Sequence, residues 1–170
     1  MSGMVPTRPA RICQDAVLID GIPGCGKTML SAIIASLDRV EILQYSYEIE
    51  HSCIMQHFGL MTMDAASYLV QYELDLMMYN VMMGRDVNFR FSDLSSVFSS
   101  RRKWRYLKRI FSPGDAAVPG RVRKEKPILH LATHAISGFL GPIMRGAPDG
   151  LLFINMHRHP LFMLKQNTWN

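Results

Sequence analysis

The chain has 170 residues, 48% of them hydrophobic and 19% charged, with a net charge of +5. That balance excludes a disordered chain, and no apolar run approaches the roughly 20 residues that cross a bilayer. Three cysteines with no Cys-x-x-Cys or Cys/His metal spacing exclude a disulfide framework; with no apolar leader at the N-terminus, they predict reduced thiols in a cytoplasmic protein.

Residues 1–14 are polar with two prolines and read as a flexible lead-in; residues 15–170 read as one domain. Ala16 to Asp20 is a short apolar run ending at a glycine, the pattern of a buried strand. A Gly-rich turn follows, then a helix from Thr28 to Leu37. Val40 to Leu43 predicts a second strand. Asp64 is placed to cap a helix running to Met83, whose inner face would carry Val70, Leu74, Met77, Met78 and Val81. A further helix is expected over 93–111. Residues 112–127 hold three prolines, two glycines and clustered charges, and read as a basic loop. Ile128 to Ala132 and Leu151 to Met156 are strand-like, with a short helix over 137–145 between them, and Pro160 suits the first turn of a last helix. Strands alternating with helices predict an α/β fold, a three-layer α/β/α sandwich on a parallel sheet of the P-loop NTPase-like kind. The 13 methionines are expected to fill core gaps.

Gly21 to Thr28, GIPGCGKT, matches G-x-x-x-x-G-K-[ST] at each fixed position, between a predicted strand and a predicted helix. Gly21, Gly24 and Gly26 let the backbone curl so that several N–H groups point at one anion. The helix start adds its positive dipole end. Lys27 brings a full charge to the outer oxygens, and Thr28 bonds a phosphate oxygen or Mg²⁺. Pro23, Cys25 and Met29 complete the expected contact set, with Cys25 a small filler. On its own the loop points to ATP with Mg²⁺. An enzyme of that kind adds an acid at a strand end to hold the metal, whereas these strands lead into Thr133-His134 and His157-Arg158.

The motifs ILHLATH at 128–134 and LLFINMHRHPL at 151–161 resemble those of the sulfotransferase family, in which one strand runs into Lys-Thr-His and a later one into an Arg-containing turn. Pro23, Gly26 and Thr28 are similar to that family's phosphosulfate loop. The resemblance implies the donor 3′-phosphoadenosine-5′-phosphosulfate and a hydroxyl-bearing acceptor, with a carbohydrate as one candidate. It implies that the loop holds the phosphosulfate, that Arg158 grips the 3′-phosphate, and that His134 is the general base. The family's serine after the arginine corresponds to Gln166, whose amide can donate. Ala132 stands where many members have lysine, and Lys27 where many have threonine. The family's Gly-rich segment that closes over the adenosine has no counterpart before Asn170. Such a chain would be a fragment, or have a site that is open or completed by another chain, or have lost the activity.

Some members use a glutamate beyond the first helix as base, so Glu48, or Glu50 beside it, stands as the alternative to His134. A metal set of Glu50, His51 and His57 matches no known spacing, so no metal site is expected. Residues 101–126 carry ten Lys or Arg and two acids. Trp104, Leu107 and Phe111 share one helical face there and are expected to pack inward, with the basic residues in solvent. An anionic acceptor is a further candidate for that surface. No RNA- or DNA-binding signature accompanies it, so nucleic acid is not the expected partner. Three functions stay open: sulfuryl transfer, an ATP-using P-loop enzyme, and a non-catalytic nucleotide-binding module.

Overall fold

Side chains alternate along the strand that precedes the glycine turn, β1 (Asp15–Asp20), and that alternation sets the layers. Ala16 and Leu18 pack with helices on one face of the sheet, and Val17 and Ile19 on the other. The computed structural model describes residues 11–93 and 95–167, with side chains as far as Met163. After β1 come α1 (Lys27–Ile34), β2 (Gln44–Tyr45), α2 (Tyr47–His57) and α3 (Met63–Met83). Then follow α4 (Lys103–Ile110), α5 (Val118–Glu125), β3 (Ile128–Ala132), α6 (Gly141–Gly146), β4 (Gly150–Asn155) and α7 (Pro160–Asn167). Short 3-10 turns occupy Val97–Ser99 and Asp115–Ala117.

The sheet has four strands in the order β2-β3-β1-β4, all parallel, as the alternating pattern predicts. Helices cover both faces in three layers, unequally. The larger core joins β1 and β3 to α2, α3, α5 and α6 through Leu18, Ile49, Val70, Leu74, Met78 and Leu131. The smaller joins Val17, Ile19 and Val40 to Ile34 of α1. The expected inner face of α3 is buried throughout, including Met77 and Met78. Thr62, and not Asp64, caps that helix by accepting from the Ala65 N–H; Asp64 lies in its first turn.

Several segments depart from the sequence reading. Residues 40–43 form only an isolated bridge, Val40 to Ile128, and the strand itself is Gln44–Tyr45. The helix expected over 93–111 is confined to Lys103–Ile110. The expected basic loop contains α5, for which Pro119 sits at a favourable first-turn position. The lead-in is docked where it is described: the Ile12 and Cys13 N–H groups donate to Asp75 Oδ1 of α3 at 2.8 and 2.9 Å.

The faces of α4 are the reverse of the expected ones. Trp104 and Phe111 are 72% and 89% exposed, while Tyr106 and Arg109 are buried. Arg109 makes two hydrogen bonds to Glu41, at 2.8 and 3.0 Å, and one to Glu125 at 2.9 Å. Arg105 joins the same network at 2.7 Å from Glu41. Paired and hydrogen-bonded in this way, the guanidiniums can be buried.

Candidate functional site: the P-loop cleft

Three strand ends meet at one edge of the sheet, where β1 lies between β3 and β4. Ligands of open α/β sheets bind outside the carboxyl ends of such strands, where the connections diverge. The β1 end enters Gly21, the β3 end enters Thr133-His134, and the β4 end enters Met156-His157-Arg158.

Gly21, Gly24 and Gly26 have φ of 146°, 85° and 101°, values that side chains disfavour. A Cβ on Gly21 would lie 2.6 Å from the Met156 carbonyl oxygen, so β4 and the loop entry touch through the absence of a side chain. Gly26 caps α1 with no side-chain bond, which leaves the helix N–H groups directed into the loop. Lys27 is buried and its ammonium donates to the Gly21 carbonyl, while Thr28 and Met29 are exposed. Cys25 is buried in the turn, its N–H bonded to the Ile22 carbonyl at 3.3 Å. Arg158 reaches across from the β4 end: its Nη1 donates to the Gly24 carbonyl at 3.1 Å, and its guanidinium lies 6.0 Å from the Phe162 ring. The side chain of Gln166 lies outside the described residues.

Asp20 closes β1 and is fully buried. Its carboxylate accepts from Thr133 Oγ1 at 3.0 Å and from the N–H groups of Ile136 and Ser137 at 3.1 and 2.9 Å. These bonds fix the turn after β3, in which Ala135 takes a left-handed φ of 57°. Asp20 thus ties the end of β1 to the turn after β3.

That turn delivers His134 to the cleft. Its backbone N–H donates to Glu50 Oε1 at 3.1 Å, and its Nδ1 lies 3.0 Å from the same oxygen. Tyr45 and Tyr47 flank its ring, each with a centroid 6.0 Å away and nearly parallel planes. Lys27, Thr28, Met29, Tyr45 and His134 line one open cleft of about 770 Å³. Burial, and then the nearby Tyr47, raise the Tyr45 hydroxyl above its ordinary range.

The structure thus brings the P-loop, Arg158 and His134 together. It does not bring Glu48 to His134. Glu48 is exposed on the first turn of α2, its Oε2 3.4 Å from Ser46 Oγ, and Glu50 two residues on is the carboxylate that meets the imidazole. Glu73, which also accepts from Ser46, is raised by burial and then by the neighbouring Glu48. Among the described residues no cluster of three or more His, Cys, Asp or Glu is placed to hold a metal ion, so Glu50, His51 and His57 form none.

Sequence reading missed the two tyrosines and placed no helix over Tyr47–His57. The signal was present: Ser46 before Tyr47-Glu48-Ile49-Glu50 is an N-cap followed by first-turn acids, and Ser46 Oγ accepts from the Ile49 N–H at 3.3 Å. No protein-family model, curated protein or solved structure matches the chain. The functional reading therefore rests on the residues of the cleft. No helix of the described residues is long and apolar enough to cross a membrane.

Proposed function

We propose that this chain transfers a sulfuryl group from 3′-phosphoadenosine-5′-phosphosulfate to a hydroxyl acceptor, with Glu50 and His134 as its base pair. The carrying observation is the Glu50–His134 contact of 3.0 Å in the same cleft as Lys27 and Thr28. With its Nδ1–H given to Glu50, the imidazole presents the Nε2 lone pair to an acceptor hydroxyl. Deprotonation there readies the oxygen for attack, while the tyrosine faces keep the ring from turning.

The donor supplies an activated S–O bond, broken as the acceptor's S–O bond forms, so that the leaving phosphate carries the negative charge. Lys27, the loop N–H groups and the α1 N-terminus are fixed donors for that charge. The glycine conformations fit a phosphate-sized anion against the backbone. Arg158, held at the Gly24 carbonyl, is at hand for a second phosphate on the same nucleotide.

A second reading, an ATP-using enzyme with Mg²⁺, draws on the Gly26-Lys27-Thr28 sequence. It lacks a free carboxylate at a strand end: β3 ends at Ala132-Thr133, β4 at Asn155-Met156, and the Asp20 carboxylate already accepts from three donors. Thermal stabilisation separates the two, because a ligand that binds only the folded state raises Tm. Adenosine 3′,5′-bisphosphate is expected to stabilise the chain more than ADP does, with or without Mg²⁺. Preference for Mg-ADP would overturn the sulfuryl-transfer reading. Silence from both would leave a non-catalytic module. Arg158→Ala is expected to weaken the bisphosphate response specifically.

A further inference from the structure

A second cavity, of about 300 Å³, lies beside α1 on an adjoining face, between that helix and the segment 95–101. It shares Thr28 and Ala32 with the P-loop cleft, so the two spaces flank the same helical turns. Its floor is small and aliphatic, made by Ala32, Ala35, Ile42 and Leu43. The rest of its lining is hydroxyl-bearing, and one guanidinium, Arg101, stands at its edge.

The hydroxyls differ in what they already do. Ser95, Ser96, Ser99 and Ser100 each have one partner in their own segment: Ser95 and Ser96 accept from Asn88 and the Phe98 N–H, Ser99 donates to the Asp93 carbonyl, and Ser100 accepts from the Arg102 N–H. Each retains further capacity. Ser31 differs. It is 2% exposed, lines the cavity, and its Oγ has no hydrogen-bond partner. A buried hydroxyl without a partner costs free energy; the Oγ is closed off from the cavity as it stands, so a ligand hydroxyl meets it only once the side chain rotates about Cα–Cβ. Arg101 is exposed and has no carboxylate partner among the described residues.

We infer that this cavity is a binding site for a small polyhydroxylated anion, a monosaccharide-sized unit bearing one acid group. The volume is near the lower bound for ligand cavities, which admits one sugar ring. Hydroxyls line the walls for the ring hydroxyls, the aliphatic floor suits the apolar ring face, and the Arg101 guanidinium suits a carboxylate, phosphate or sulfate.

Calorimetric titration of the full chain tests this with D-glucuronate, glucose 6-phosphate and neutral D-glucose. Both acids are expected to bind, and glucose about tenfold more weakly, the size of one charge-assisted contact. Arg101→Gln should bring the acids down to the glucose level. Ser31→Leu, which fills the cavity, should abolish binding of all three. Lys27→Ala should leave sugar binding unchanged, and adenosine 3′,5′-bisphosphate should still bind Arg101→Gln. Absence of acid binding to the parent chain would overturn the inference. So would binding that Lys27→Ala abolishes and Arg101→Gln leaves intact, because the sugar phosphate would then sit in the P-loop. If glucuronate binds and the bisphosphate does not, the donor reading fails and the cavity assignment stands.

Discussion

Glu50 Oε1 meets His134 twice, at its backbone N–H and at its Nδ1, so one oxygen fixes both the position of the residue and the orientation of its ring. Glu50→Gln keeps the shape but presents either an amide oxygen or an amide N–H to the imidazole, and loses the charge that stabilises its protonated form. Turnover is expected to fall about tenfold, and His134→Ala to cost about 10²–10⁴-fold. Glu48→Ala should leave turnover unchanged. Release of adenosine 3′,5′-bisphosphate in the presence of a hydroxyl acceptor is the readout. A larger loss in Glu48→Ala than in Glu50→Gln would reverse the assignment.

Glu41 is fully buried and, together with Glu125, pairs with both Arg105 and Arg109. Glu41→Gln leaves the Arg109 guanidinium in the interior with only Glu125 for a counter-charge. Removing one partner of a buried pair costs about 3–5 kcal/mol. Urea denaturation of the variant beside the parent chain measures the loss.

His130 is buried in β3, and burial pushes its imidazole down to about 4, a shift that the nearby Glu41 backbone only partly offsets. The unfolded chain therefore binds a proton between the ordinary histidine range and about pH 4 that the folded chain does not. This histidine's contribution makes stability rise with pH across that window, and fall as pH drops through it. At one pKa unit per 1.36 kcal/mol the full effect is roughly 3 kcal/mol. Melting curves at pH 7 and pH 5 are expected to differ more for the parent chain than for His130→Met, which fills the site without titrating.

Trp104 and Tyr106 are two residues apart on α4 and have opposite surroundings. Trp104→Ala, at a side chain 72% exposed, is expected to change stability by less than about 0.5 kcal/mol. Tyr106→Phe removes the hydroxyl that accepts from the Ile42 N–H at 2.9 Å, at a cost of about 1–3 kcal/mol. Thermal denaturation of both variants tests the orientation of the helix.

The local part of this fold was legible in the sequence. β1, the glycine turn and α1 are contiguous, and each is specified by its own residues: an apolar run, glycines, then helix formers. The α3 face was legible because apolar residues recur at helical spacing on a helix long enough to display it. The face of α4 was not. Its period groups Trp104 with Leu107 and Phe111, and Tyr106 with Arg109, but a period does not say which group points inward. Glu41 and Glu125, distant in sequence, make burial of the arginines favourable. In the same way His134 was readable as a strand-end histidine. Which of Glu48 and Glu50 meets His134 depended on which face of an unrecognised helix is turned to the end of β3.

The unequal layers have a consequence for motion. α1, which carries Lys27 and Thr28, packs on the smaller core; its outward Met29 and Ile33 are 71% and 57% exposed, and Leu37 just beyond its end is 55% exposed. α3 is sunk in the larger one. Local opening free energies follow such differences in buried contact, so amide exchange should be faster along α1 than along Val70 to Val81. The element proposed to grip the anion would then open more readily than α3. A nucleotide bound there would tighten it, and its slowed exchange would register occupancy with no change elsewhere in the chain.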